Sequence, residues 1–160
     1  MLSIEQLTTK HTHRFRTIRL ASLKDSPEAF KSTYFEMMLL PDEVWKQQLA
    51  NLATFVAVEN HQDVGVIRCA EDRENPNAAH LYSLWVSVDY RGLGVAEELI
   101  GAVLKWARAK GLEKVILNVV ESNRPAISLY RKVGFGFTGG SKLISGRQDL
   151  KELQMALDFD

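Results

Sequence analysis

Six residues, Arg91-Gly92-Leu93-Gly94-Val95-Ala96, combine what is needed to hold a phosphate anion. Glycine lacks a Cβ, so its backbone N–H can approach a ligand closely and its φ can turn positive. Arg91 brings a full positive charge. The residues behind the loop carry a helical pattern, and a helix N-terminus offers unpaired N–H groups with positive potential. In front lies a β-type run, Leu84 to Val88, followed by the turn Asp89-Tyr90-Arg91. Strand, glycine loop and helix in that order form a cradle for phosphate.

The spacing narrows the phosphate compound. A nucleoside triphosphate loop needs Gly-Lys-Ser/Thr where the helix starts, to reach the phosphates and Mg²⁺, but Gly94 is followed by Val95-Ala96-Glu97. The dinucleotide fingerprint needs a third small residue, and Glu97 stands in that place. Such a fingerprint also sits in an opening βαβ unit, whereas this loop lies past mid-chain. What remains is a pyrophosphate bound without Mg²⁺, and coenzyme A is the common metabolite of that description.

Other chemistry-bearing residue types lack companions. Cys69 is the single cysteine and lies in the strand-like run "VGVIRCA", which reads as a small buried apolar residue. His11 and His13 have no cysteine or carboxylate cluster beside them, so no metal is expected. Trp45, Trp106 and His61 read as packing or turn residues. Of the 160 residues, 20 are Lys or Arg and 20 are Asp or Glu, so no bulk field favours nucleic acid or an anionic membrane. No apolar run is long enough for a membrane helix. The first residues lack the apolar stretch of a secretory signal. A cytoplasmic protein with no nucleic-acid or membrane partner is the resulting expectation.

The elements that must position the loop can be traced along the chain. Leu2 to Leu7 alternate as a strand. Phe15, Ile18, Leu20, Ala21 and Leu23 leave an apolar stripe at helical spacing, which Asp25-Ser26-Pro27 breaks. Pro41-Asp42 opens a second helix with Val44, Trp45 and Leu49 inward. "ATFVAVE" and "VGVIRCAE" around "NHQD" form a hairpin, and "DRENPNAA" is a loop. "HLYSLWVSV" is the fourth strand. The helix behind the glycines presents Leu99, Ile100, Val103, Leu104 and Ala107, and stops at Gly111. "KVILNVV" is a fifth strand, buried on both faces. Asn123 caps the helix "RPAISLYRKV", and "GFGFTGG" and "LKELQMALDF" are closing strands.

Loop and order together resemble the GNAT superfamily of acyl-CoA-dependent N-acetyltransferases, over nearly the whole chain. The Arg-x-x-Gly-x-Ala run resembles the family's pyrophosphate motif, and "NVVESNRPAISLYRKVGF" resembles its second signature. The front "RLASLKDSPEAFKSTYFE" is similar to that of many bacterial members. The resemblance implies a single α+β domain over residues 1–160. Its mixed central β-sheet is splayed between the fourth and fifth strands, with helices on both faces in three layers. Acetyl-CoA is the implied co-substrate, with no metal.

The same resemblance implies roles for individual residues. The backbone of Leu84, Trp85 and Val86 would pair with the pantetheine arm, and an N–H near Leu84 would stabilise the oxyanion. Arg91, Gly92, Leu93, Gly94, Val95 and Ala96 would wrap the pyrophosphate. Asn123 would contact the cofactor arm as well as cap its helix. Tyr130, a phenol of pKa about 10, would protonate the departing thiolate. His80 stands eleven residues before Arg91, where the histone-acetylating branch has a glutamate base, and imidazole titrates near neutrality. A histidine without a role and proton removal by water stay open beside it. A bulge in the fourth strand, usual in the family, would shift the register of Tyr82 and Leu84 against His80.

The implied reaction is direct attack of a primary amine on the thioester in a ternary complex. A small-molecule amine is the favoured acceptor. Acetylation of a peptide N-terminus or lysine, and a catalytically idle acyl-CoA-binding module, are the alternatives. The acceptor pocket is expected from the front helices and from the loops Pro27 to Pro41 and Ser141 to Asp149. Dimers are frequent among similar proteins, so a homodimer is among the expected states.

Overall fold

A computed structural model of the chain describes residues 1–27, 32–144 and 147–160. Residues 28–31 and 145–146, parts of the two loops expected to shape an acceptor pocket, lie outside the described residues. Seven strands form a mixed sheet in the order β1-β2-β3-β4-β5-β7-β6. The chain divides into two compact units, residues 1–70 with 82–103 and residues 71–81 with 104–160.

The first unit opens with β1, Ser3–Leu7, and a 3-10 turn at Thr9–His11. There the Nδ1 of His11 accepts the Thr8 N–H at 3.0 Å, and Thr8 Oγ1 accepts the Lys10 N–H, so this histidine caps a turn. Helix α1, Thr12–Asp25, buries Phe15, Ile18, Ser22 and Leu23 at spacings of three, four and one, and takes in Asp25, the first residue of the expected break Asp25-Ser26-Pro27, before it ends. A short α2, Tyr34–Met38, follows, capped by Thr33. Helix α3, Asp42–Asn51, opens directly after Pro41 and buries Trp45 and Leu49.

Strands β2, Ala53–Glu59, and β3, Gln62–Glu71, pair antiparallel. Asn60 (φ 50°) and His61 (φ 62°) form the two-residue turn between them. Paired positive φ values match the twist of a tight hairpin, and Asn tolerates that region well. The core gathers Leu7, Phe15, Ile18, Trp45, Leu49, Val56 and Val66. Phe15 and Trp45 meet edge to face at 5.5 Å. Burying each such ring stabilises the fold by roughly 1.5–3 kcal/mol. Arg68 lies under the Phe15 ring, 4.5 Å from its centroid, and donates to Thr54 Oγ1 and the Gln48 carbonyl. Burial, with the charge of Arg19 second, pulls this guanidinium down to about 10.

Strand β4, Ala78–Val86, begins in the second unit and ends in the first. In the second unit it pairs parallel with β5, Lys114–Val120, over Ala78↔Lys114 to His80↔Ile116. The last pair of that parallel ladder is His80↔Ile116. β5 then pairs antiparallel along its whole length with β7, Arg147–Asp158, and β7 pairs with β6, Gly136–Ile144. Val115, Leu117, Val119 and Met155 are buried on one face of these strands, while Ile116 and Val120 are buried on the other. The β-branched run thus buries both faces, as its composition implied. Helix α4 spans Val95–Ala109 and α5 spans Arg124–Val133.

Several boundaries differ from the sequence reading. The fourth strand starts two residues earlier and stops at Val86, because Val88–Tyr90 winds into a 3-10 turn. The sixth strand starts at Gly136 rather than Gly134, since Gly134 (φ 124°) closes α5 by donating to the Tyr130 and Arg131 carbonyls. Helix α2 was not expected, its apolar residues being too few to show a period.

Candidate active site

The glycine loop lies in the first unit. Ser87, just past β4, donates its N–H to the Val64 carbonyl, and the 3-10 turn Val88–Tyr90 carries the chain to Arg91. Gly92 (φ 76°) and Gly94 (φ 87°) then take left-handed conformations. A Cβ placed on either glycine would meet no atom within 4 Å, so space is open beside the loop. The Gly94 carbonyl accepts the Glu98 N–H and starts α4. Among the described residues, the N–H groups of Gly92 to Ala96 donate to no backbone or side-chain acceptor of this unit. A run of free N–H donors at the positive end of a fifteen-residue helix fits an anion such as the pyrophosphate of coenzyme A.

Arg91 is held along one edge. Its Nε donates to the Val86 carbonyl at 2.8 Å, and its Nη2 donates to Asp25 Oδ2 at 2.6 Å. The same carboxylate oxygen accepts Trp85 Nε1–H at 3.0 Å and Ser26 Oγ–H at 2.7 Å. The Trp85 hydrogen bond first, then those from Ser26 and Arg91, pull the Asp25 carboxyl down to about 2. Arg91 was expected from the sequence as a charge turned to the pyrophosphate; here its Nε–Nη2 edge serves the loop and the end of α1.

Leu84, Trp85 and Val86 form the end of β4. Ser83, just before them, has φ 60°, a left-handed conformation that costs a non-glycine residue about 1–2 kcal/mol. It interrupts the extended backbone of the strand between Tyr82 and Leu84. Gly65 faces this stretch: a Cβ there would stand 3.2 Å from the Trp85 carbonyl oxygen and 3.0 Å from Leu99 Cδ1. No side chain fits at that position without a shift.

His80, Asn123 and Tyr130 lie in the second unit. His80 is buried within β4, not at a loop edge, and both ring nitrogens have neighbours. Nδ1 lies 3.0 Å from the Leu81 carbonyl, which can only accept, so Nδ1 carries the proton. The lone pair on Nε2 therefore faces Asn118 Nδ2 at 3.3 Å. Burial is the main cause that lowers the His80 pKa below 6.5; Lys142 adds to it, while Asp72, the Leu81 carbonyl and Glu152 oppose it. The ring is neutral at pH 7.

Asn123 caps α5, its Oδ1 accepting the Ala126 N–H at 3.3 Å, with Pro125 in the first turn. Tyr130 is buried at 7% exposure, edge to face with Phe135 at 5.8 Å. Burial raises its phenol well above 10, so it holds its proton at any physiological pH. Two residues that the sequence reading passed over take part in these arrangements. Asn118 was visible as the polar residue that interrupts the apolar run Val115 to Val120. Asp25 read only as a helix breaker.

Known proteins place the chain in a family. Residues 17–135 match the model described as Acetyltransferase (GNAT) family, so the chain belongs to that family of acyltransferases. Over 84 residues, 51% of the chain, it is 30% identical to N-alpha-acetyltransferase 30 of Schizosaccharomyces pombe, of which 56% is covered. The chain spans about half the length of the curated relatives it matches. The structure of a GNAT-family acetyltransferase from Streptococcus pneumoniae superposes with a TM-score of 0.82 over all of both chains at 21% identity, a likeness of fold. An acetyltransferase from Bacillus anthracis, solved in complex with acetyl coenzyme A, gives a TM-score of 0.62 at 26% identity, covering 69% of this chain and 64% of its own. Among the described residues no group of His, Cys, Asp or Glu is arranged to hold a metal ion, and no helix is long and apolar enough to cross a membrane.

Proposed function

We propose that the protein is an N-acetyltransferase that moves the acetyl group of acetyl-CoA to a primary amine. The observation that carries this reading is the Arg91–Ala96 loop, with its two left-handed glycines and unpartnered N–H groups at the head of α4, in a chain of this family. These N–H groups bind the pyrophosphate, and the backbone of Leu84 to Val86 pairs with the pantetheine arm and supports the thioester oxygen as charge develops there. The neutral amine attacks the carbonyl carbon; the C–S bond breaks and the electron pair leaves on sulfur. Tyr130, its phenol kept protonated by burial, donates the proton to that thiolate. Asn123 contacts the cofactor arm while its Oδ1 caps α5.

His80 is the candidate base. It is neutral at pH 7, and the 3.3 Å contact of its Nε2 with Asn118 is long enough to yield to an incoming proton donor. A small-molecule amine is the proposed acceptor. The likeness to a protein named N-alpha-acetyltransferase favours a second reading, a peptide N-terminus, over 51% of the chain.

The test is turnover of acetyl-CoA, followed as free thiol, against a panel of small amines and of peptides with free or blocked N-termini. Transfer to small amines alone supports the first reading, and transfer to free peptide N-termini alone replaces it with the second. Stoichiometric acetyl-CoA binding without transfer to any amine overturns both in favour of an acyl-CoA-binding module.

A further inference from the structure

We propose that Asp25 is a positioning residue for the acetyl-CoA site, setting Trp85 at the end of β4 and Arg91 at the head of the glycine loop with one carboxylate. The inference rests on the cofactor reading above. Three segments distant in sequence meet at Asp25 Oδ2: the last residue of α1, the indole of Trp85 sixty residues on, and the guanidinium of Arg91 sixty-six residues on.

Helix stability does not explain an aspartate at this place. The C-terminus of a helix carries partial negative charge, so a carboxylate in the last turn is unfavourable. Asp25 is that last residue, and the interactions that stabilise it come from outside the helix. A general surface ion pair is an equally poor account. The side chains of Asp25 and Arg91 are 36% and 47% exposed, a setting in which a lone pair contributes little.

The geometry fixes orientation instead. Arg91 is a planar fork with five N–H groups. Nε is tied to the Val86 carbonyl and Nη2 to Asp25, while Nη1 makes no hydrogen bond among the described residues. The guanidinium plane is therefore set by two anchors, on a side chain that is 47% exposed at the head of the loop whose N–H groups are open. The carboxylate also fixes the Trp85 indole, and with it the rotation of the residue whose backbone is proposed to pair with the pantetheine arm. Removing the carboxylate leaves Trp85 without its acceptor and Arg91 with a single anchor. Presentation of an arginine costs rotamer entropy when the ligand must do the ordering, and prior anchoring removes that cost.

The experiment compares wild type, Asp25→Ala and Asp25→Asn by calorimetric binding of acetyl-CoA, by steady-state kinetics and by tryptophan emission during acetyl-CoA titration. Asp25→Ala is expected to weaken acetyl-CoA binding and raise its KM about tenfold, with the KM for the amine unchanged and kcat changed less than threefold. Asp25→Asn keeps an oxygen for the Trp85 N–H and is expected to fall between. The emission change on acetyl-CoA binding is expected to shrink in Asp25→Ala and in Trp85→Phe alike. A purely structural role would lower thermal stability while leaving the acetyl-CoA KM and the emission change alone, and that outcome overturns the inference. Equal acetyl-CoA affinity in all three proteins does the same. Absence of acetyl-CoA binding by the wild type would instead overturn the cofactor reading itself, so the two failures are told apart.

Discussion

Near the glycine loop the charged pair Asp25 and Arg91 is partly exposed and tied together, whereas in the second unit His80 and Tyr130 are buried and uncharged. Asp25 sits at about 2, held there by donors from Trp85, Ser26 and Arg91. Tyr130 and His80 move the opposite way, each toward its neutral form, with burial as the main cause. The contrast follows from desolvation. A site for an anion keeps its charges near water and orients them; a site for proton transfer excludes water, so that a phenol stays a donor and an imidazole stays a base. Substitutions that exchange the two kinds of environment are the ways to break this comparison.

The largest expected effect is at Tyr130. Tyr130→Phe keeps the ring packed on Phe135 and removes only the O–H, so the fold should hold while kcat falls about 10²-fold or more, the usual worth of a positioned acid. Free-thiol release under saturating acetyl-CoA reads it directly, and undiminished kcat would remove Tyr130 from the chemistry. Next is the loop. Gly94→Val forces a β-branched residue to φ 87°, which costs at least the 1–2 kcal/mol of a left-handed residue, or about tenfold in acetyl-CoA affinity. A Cβ there meets no atom within 4 Å, so the left-handed backbone is the source of this cost. An unchanged acetyl-CoA KM in that variant would mean the loop does not need its left-handed turn.

The ease with which each region could be read from sequence follows the same division. The loop was legible because its chemistry is local: glycine spacing, a following helix and a missing Lys-Ser/Thr all lie within a dozen residues. Most strands were legible for the same reason, as alternation or β-branched runs, and the Asn123 cap could be read because a cap acts within three residues. Contacts across sixty residues leave no such mark. Nothing in "LKDSP" says that Asp25 will meet Trp85 and Arg91. His80 was found by counting from a resemblance, but its burial and its pairing with Asn118 depend on where the β4–β5 ladder ends. Helix α2 escaped because five residues are too few for a period, and the sixth strand began late because Gly134 was needed to close α5.

The smallest expected effect sharpens the buried half of the comparison. His80 has a folded pKa below its unfolded value of 6.5. As pH falls through that range the unfolded chain takes up a proton that the folded chain resists, so the native state loses stability on the acid side of 6.5 and loses nothing above it. His80→Gln retains a polar group for Asn118 but cannot titrate. Between pH 7 and pH 5 its melting temperature should therefore fall less steeply than that of the wild type, by a difference of a few degrees at most. Asp72 and Glu152, which favour the charged ring, and Lys142, which opposes it, are present in both proteins and drop out of the difference. Parallel curves would mean that the ring charges as freely in the fold as outside it. The proposed base would then have to be sought among groups that water can reach, and the proposed division between an oriented, solvated anion site and a dry proton-transfer site would rest on Tyr130 alone.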